Sequence, residues 1–586
     1  MKLPQLNEIP TTRTITDIFK GYNHNLRIGD GEFYDMKNLT SSDYPVLSPR
    51  PKRGIYKDDV TEAQGLIAKD SLCYVDGGDF VINDYRVAMG LSDKPKTLVS
   101  MGAYVIIMPD KMYVNTKDNT YGNIEANLTT QGTVHFTLSQ YDGNNYDRIP
   151  TESPIAPDNP SNLALWIDTS SEPHTLKQYS EATEMWVAIA TSYIKIENPG
   201  IGLPFNEGDG VTISGITVDG LKDLNNTMVI WAKDDREDEE GNKISDWILV
   251  TGLGNHVASQ EEPITIKRLM PELDFVIESE NRLWGCRYGV ALNGEVVNEI
   301  YASKLGDFKN WNCFAGISTD SYVASVGTDG QFTGAITHLG YPIFFKENCM
   351  HKVYGNYPAN YQIQTTTCRG VQKGCSKSLS IVNEVLYYKS QKAICSYDGS
   401  LPMEISSALG EVSYSNAVGG SLGNKYYISM QDMNEQYHLF VYDTVKGMWH
   451  REDNLHAKEF CTCRGELYFI EGNKIKTVLG TGTPYESNVK WMAETGIIGT
   501  DSPDKKYISR LDIRLSVSVG TRVHIFIQYD SSGEWEHKFT MTGRKLGSFS
   551  VPIRPRRCDH LRLRIEGDGE AKIYSIYKTI EQGSNN

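Results

Sequence analysis

The chain has 586 residues, 39% of them apolar and 23% charged, which fits a folded globular protein and excludes a disordered one. Its 58 basic and 74 acidic side chains give a net charge of −16, which argues against non-specific nucleic-acid binding by the whole surface. The length allows roughly three to five domains, with three favoured because β architectures run large.

The N-terminal MKLPQLNEIPTTRTITDIF has no apolar signal-peptide core, and no run approaches the roughly 18 apolar residues that a membrane span needs. The expectation is synthesis in the cytoplasm without stable membrane insertion, so the sequon at Asn38 carries no weight. Helical periodicity is nearly absent, with single turns suggested only at Thr16–Lys20 and Ser376–Ser380. Residues 1–54 include EFYDMKNLTSSDYPVLSPRPKRG, whose prolines and lack of alternation predict an extended arm lying along something else.

A repeat runs through residues 55–120, read as the first propeller blades, and 266–484, read as the remaining ones. YPIFFKENCMHKVYGN, NEVLYYKSQKAICSYDG, NKYYISMQDMNEQYHLFVYD and GELYFIEGNKIKTV each hold a strand rich in aromatics, a polar turn and a second strand. The marks Phe345, Tyr388, Tyr427 and Tyr468 are 43, 39 and 41 residues apart, the period of a four-stranded propeller blade. AYVIIMPDKMYV and, more loosely, DSLCYVDGGDFVIND fit the same template. In the stretch from Glu280 to Trp311, NRLWGCRYG is expected as the inner strand of a blade. NEIYASKLGDFKNW is expected as its outer strand and exit turn, after a hairpin at Asn293–Gly294. About seven blades result, because one twisted sheet cannot bury both faces and a ring of sheets can.

Residues 121–265 interrupt the period with LALWIDTSSEPHTLKQYSEATEMWVAI and GDGVTISGITVDGLKDLNNTMVIWAKDD, predicting inserted β-modules. Residues 485–586 predict an antiparallel β-sandwich: Leu511, Ile513, Leu515 and Val517 alternate with Arg510, Asp512, Arg514 and Ser516. Hairpins are expected at Arg522–Phe539 and, turning at Gly567–Gly569, at His560–Ile580. Basic side chains outnumber acidic ones between Asp501 and Ile580, a solvated surface or a docking face for an acidic partner. The fold class is therefore all-β: a propeller with an inserted region and a C-terminal sandwich.

Motifs for chemistry are sparse. GGSLG at Gly419–Gly423 matches a nucleophile elbow but is followed by a strand, so a β-turn is the better reading. KDDREDEEGNK holds six acidic residues without the order of a calcium loop, and reads as a solvated hairpin tip. SYDGS and YDSSGEW are fragments of Asp-box hairpins and read as tight turns. The ten cysteines form no CxxC pair; Cys461 and Cys463 share a strand face without zinc spacing, and reduced, buried thiols are expected. RPKR (Arg50–Arg53) and PIRPRR (Pro552–Arg557) are the densest basic spots, too small for a phosphate-binding field. No catalytic, cofactor-binding or metal residue is assigned, and the chain is not expected to be an enzyme.

ENRLWG followed by EIYASKLGDFKNW resembles the packaged-DNA stabilisation group of phage tail-hub proteins, the β-propeller nozzles of short-tailed phages. FYDMKNLTSSDYPVLSPRPKRG and PIRPRRCDHLRLRIEGDGEAKIYSIYKTIEQG resemble segments of related virion proteins, and LALWIDTSSEPHTLKQY is similar to a module of phage tail proteins. The resemblance implies a structural tail protein in the virion, forming a sixfold ring below the portal and adaptor proteins. Such a ring would retain packaged DNA and conduct it during ejection without sequence-specific binding. It would also meet tail fibre, spike or needle proteins. The arm before Gly54 and the inserted segment are then expected to hold neighbours, and loss of residues 1–50 to leave a folded monomer that fails to join particles. A glycan-binding or glycan-cleaving propeller at the tail tip is the alternative, with Trp284, Trp311 and Trp449 as sugar platforms, although packing inside blades suits them better. A structural protein of a long-tailed phage is a third reading.

Overall fold

The computed structural model describes residues 11–254, 257–290, 294–500 and 504–582. Seven antiparallel blades follow one another along the chain, five as separate four-stranded sheets, the sixth within a twelve-stranded sheet and the seventh within a five-stranded one. They span residues 63–88 (blade 1), 97–123 (blade 2), 275–325 (blade 3), 334–367 (blade 4), 380–404 (blade 5) and 415–451 (blade 6). In blade 7, strands of residues 459–477 take Gly54–Lys57 as their fourth strand. The first strands of successive blades neighbour one another, directly or through the 3-10 turn Ser376–Ser378, and the first strand of blade 7 returns to that of blade 1. The result is a closed propeller whose last blade is completed by a strand from the beginning of the chain.

Blade turns follow from residue type. Glu280–Asn281 and Asn383–Glu384, joining first and second strands, have positive φ at both positions, as a two-residue hairpin matched to strand twist requires. Phe345, Tyr388, Tyr427 and Tyr468 all lie on second strands and are buried, so the period read from them follows the second strand of each blade. The reading of blade 3 shifts by one strand. Phe275–Ser279 is its innermost strand, Arg282–Val290 the second, Val296–Ala302 the third, and Tyr322–Ser325 the outer one. Residues 282–290 carry the denser apolar signal because a second strand is covered on both faces, whereas the innermost strand is short. Asn293 lies outside the described residues; Val290 pairs with Val296.

Between blades 2 and 3 the chain forms a closed six-stranded barrel. The strands of residues 126–139 and 257–268 bend together, and Gly210–Ser214, Thr227–Lys233, Trp247–Thr251 and Tyr193–Glu197 complete the circuit. Its interior holds Phe136, Ile194, Ile196, Val211, Ile213, Ile230, Ile248, Val250 and Ile266, a core of its own. A small sheet over residues 151–188 is inserted in it. The barrel hangs on blade 3 through Asn310, whose Nδ2 donates to Asp209 at 2.8 Å and whose Oδ1 accepts from Gly210 N at 2.9 Å, while the buried Arg268 pairs with Asp209 inside the barrel.

The C-terminal region is one sheet folded on itself. YISRLDIRLSVSV and RVHIFIQY are a single strand, Lys506–Tyr529, bent near Ser518–Gly520. Leu511, Ile513, Leu515 and Val517 are buried as the alternation implies. The hairpin expected at His560–Ile580 does not form: Leu561–Asp568 pairs with residues 522–529 and Ala571–Gln582 with 506–517, both on the same long strand. Gly569 is a corner, not a hairpin turn; Gly520, Gly543 and Gly569 supply positive φ where three long strands bend together.

What the N-terminal segment lies along is the chain itself. Thr11–Thr16 pairs with residues 576–581, Glu32–Lys37 with Lys490–Thr495, and Tyr22 with Trp449 of blade 6. These strands join blade 6 and the C-terminal sheet into one continuous hydrogen-bonded path. A folded monomer lacking residues 1–50 therefore does not follow, since that cut strips strands from a shared core containing Phe19, Phe33, Met36 and Leu39.

Candidate functional site

Trp284, Trp311 and Trp449 are each 2% exposed, so they are packing residues and not sugar platforms. Trp449 donates its indole N–H to Ile405 O at 2.8 Å and Trp311 to Phe308 O at 3.0 Å; Trp284 meets Tyr361 edge-on. GGSLG is largely strand, within the innermost strand of blade 6, and only Gly423 reaches the turn. A Cβ on Gly419 would sit 2.6 Å from Ser378 O, and one on Gly420 2.5 Å from Phe460 Cβ, so these glycines let adjacent blades approach. The acidic run is a hairpin, Arg236–Glu237 pairing with Lys243–Ile244. Asp238 folds its tip by accepting from Asn242 N at 2.7 Å and Glu240 N at 2.9 Å. All ten cysteines are free, and burial pushes the Cys461 thiol up to about 12. No group of three metal-ligating side chains occurs among the described residues.

Arg50 and Arg53 are buried and serve inside the fold, not toward phosphate. Arg50 grips Glu486 with both terminal nitrogens, at 2.8 and 2.7 Å. Arg53 reaches Asp453 and Glu452, each at 2.7 Å. Burial alone would raise the Asp453 carboxyl, but the two guanidiniums outweigh it and hold it below the usual range. The cluster fastens the entry to Gly54–Lys57, the closing strand, to the exit of blade 6.

One surface constellation has the outline of a catalytic triad. Ser531 Oγ lies 2.7 Å from His560 Nε2, and His560 Nδ1 lies 2.8 Å from Asp559 Oδ2. Ser531 sits in a turn with φ of 49°, as does Asp530. The serine is exposed and the Asp559 side chain is 61% exposed. In water the carboxylate's field on the ring is screened, and such an arrangement gains nucleophilic power only where water is excluded. The sequence signal was the pairing of YDSSG with a downstream DH, which no spacing rule connects.

The more built site is a cleft of about 380 Å³ where the innermost strands begin. Lys377 Nζ meets Glu459 Oε2 at 2.8 Å, and Leu66 N donates to the other oxygen at 3.2 Å. Gln64 Nε2 donates to Asp93 Oδ1 at 2.9 Å, while its buried Oε1 has no hydrogen-bond partner among the described residues. Tyr437 and His456 stack with centroids 3.7 Å apart; burial, reinforced by Lys458, lowers the His456 pKa and favours the neutral ring. The cleft can hydrogen-bond and stack on a polar ligand. Sequence reading missed it because Gln64, Tyr437 and Glu459 lie on strands of three blades while Asp93, Lys377 and His456 lie ahead of others, and no local pattern brings them together. The innermost strands hold Glu278 and Glu459 and no lysine or arginine, leaving the ring wall almost uncharged.

No family model matches the sequence, and no curated protein matches it. Likeness to solved structures is weak. An exo-β-1,3-galactanase from Phanerochaete chrysosporium is similar at 8% identity over 52% of this chain and 94% of the galactanase, with a TM-score of 0.22. An acylaminoacyl peptidase from Pyrococcus horikoshii is similar at 10% identity over 57% of this chain, which spans only 49% of the peptidase, with a TM-score of 0.23. A GH43 glycoside hydrolase is similar at 9% identity over 53% of this chain and 96% of the enzyme, with a TM-score of 0.20.

Proposed function

We propose that this protein is a structural component of a bacteriophage tail. Copies of it would form a nozzle ring, sixfold, below the portal and adaptor proteins. The ring would retain packaged DNA and then conduct it during ejection. DNA would pass between propellers, along a lumen lined by their acidic surfaces, without sequence-specific contact. Tail fibre, spike or needle proteins would close the distal end. The part is a spacer and a seat for partners, not a catalyst.

The observation that supports this reading is the continuity of the scaffold. The ring is closed by a strand from the start of the chain, latched by buried arginines, and joined to the C-terminal sheet by one hydrogen-bonded path. Such a body resists deformation because each blade is held on both sides. The test is negative-stain imaging of the purified protein, together with immunogold labelling of particles. Sixfold rings and label at the tail neck support the reading; label confined to the distal tip, or along a long tail tube, overturns it.

A second reading, a glycan-binding or glycan-cleaving tail-tip protein, draws on the axial cleft with its stacked Tyr437 and His456 and the unmet Gln64 Oε1. A glycan array and a hydrolysis assay on host wall material test it, with Gln64→Ala as the binding control and Ser531→Ala as the control for the surface triad. Retention of a glycan that Gln64→Ala releases would favour this second reading.

A further inference from the structure

Charge is segregated on this chain. Residues 126–268, the inserted region, hold 22 acidic and 9 basic side chains, a net −13 out of −16 for the whole protein. Residues 504–582, the C-terminal sheet, hold 15 basic and 10 acidic side chains, a net +5. The barrel leaves the ring between blades 2 and 3, and the C-terminal sheet joins it at blade 6, so the two charged bodies are attached on opposite sides of the seven-blade ring.

The basic body also has an open sheet edge. Glu536–Ser550 is a 15-residue strand, bent at Gly543, that pairs only with Lys506–Tyr529. Its far half is exposed, with Leu546 at 58% and neighbouring Val519 at 98% exposure. Arg544 lies over the Phe549 ring at 5.0 Å, and neither it nor Lys545 or Arg554 has a carboxylate partner among the described residues. A long edge of this kind is a ready template for another chain; its cations repel a like edge and attract an acidic one. The acidic body offers the complement. Asp235, Glu237, Glu239 and Glu240 are exposed on the hairpin tip, and Trp231, in the strand leading to it, is 53% exposed and rests against Tyr193. An apolar anchor rimmed by charges is the usual anatomy of a specific interface.

We propose that neighbouring copies of this chain associate head to tail, the basic edge Glu536–Ser550 of one copy against the acidic barrel and its 234–246 hairpin on the next. The assignment rests on the ring reading and names its surfaces. A contact between two different patches on opposite sides of each subunit propagates, and it closes into a ring when the rotation between copies divides a full turn.

The test uses the full chain and two variants, each checked for folding by circular dichroism. One carries Arg544→Glu, Lys545→Glu and Arg554→Glu; the other carries Glu237→Lys, Glu239→Lys and Glu240→Lys. Sedimentation velocity is expected to show wild-type assemblies that weaken about tenfold or more between 0.05 and 0.5 M salt, since exposed charges are screened over that range. Each variant alone is expected to be monomeric, and an equimolar mixture to reassemble, because each restores the other's complementary face. Wild-type rings that neither variant disturbs would overturn these surfaces and leave the ring reading standing. Variants that dissociate yet do not reassemble when mixed would also overturn the pairing. A wild type that stays monomeric at every salt and concentration would overturn both.

Discussion

Arg53 shows how much a single buried side chain can decide. Its guanidinium lies between Glu452 and Asp453, and its removal would leave the two carboxylates facing only the more distant Arg50, at 3.7 and 3.6 Å. Arg53→Met is expected to cost about 3–5 kcal/mol in urea unfolding, the usual cost of breaking a buried pair from one side. Histidines set the first response to acid. Burial, with Lys346 adding to it, lowers His351 to about 4, and burial with Lys425 lowers His450 to about 3. Above the ordinary value of 6.5 neither the folded nor the unfolded state holds the proton, so there is no penalty. Below it the unfolded chain takes up protons that the folded sites resist, and stability falls with pH down to those lowered values. The depressed Asp453 carboxyl acts next: its contribution is complete above its unfolded pKa and is lost as pH falls through the lower folded one. Melting temperature against pH should therefore begin to drop near 6.5, and His351→Gln should flatten that first decline. An unchanged slope in the variant would show that His351 carries none of it.

At the scale of elements, the informative strands are those whose partners lie far away in sequence. Gly54–Lys57 completes blade 7 by pairing with residues 475–477, and Thr11–Thr16 and Glu32–Lys37 cover edges of the C-terminal sheet. Deleting residues 1–50 removes two of these strands and the Arg50–Glu486 pair, leaving sheet edges and apolar core open. The truncated chain is expected to aggregate or to be cut rapidly by trypsin within residues 490–582. A soluble product with the wild-type melting temperature would show that these strands add nothing to stability. The repeat itself was readable because buried aromatics recur on the second strands, and the glycines of blade 6 show why the period tolerates little extra volume near the axis.

For the whole molecule, the barrel is the separable part. Its core is made of its own residues, and it is entered and left by adjacent strands, Ala126–Thr129 and Thr265–Arg268. Replacing residues 130–264 by a short linker is expected to leave a folded propeller, and the excised barrel is expected to fold alone, each with a cooperative transition by circular dichroism. The shortened chain loses most of the protein's negative charge, so it should also be less soluble near neutral pH. Failure of the shortened chain to fold would mean that the Arg268–Asp209–Asn310 junction stabilises blade 3 more than the blade's own packing does.

The sequence by itself determined the all-β class, the period of the propeller and the alternation of the C-terminal strands. These are local properties: aromatic positions about 40 residues apart, and the two-residue repeat from Leu511 to Val517, report which face of a strand is buried wherever that strand ends up. Only the tertiary structure decided what the strands pair with. RPKR looked like a basic surface because charge is visible in sequence and burial is not; the carboxylates that enclose Arg50 and Arg53 lie some 400 residues downstream. Gly569 looked like a hairpin turn because a glycine with positive φ serves a turn and a corner equally well, and the choice between them is made by the long strand lying alongside. The N-terminal segment showed its extended form, but its partner was settled by which sheet edges the rest of the fold leaves open.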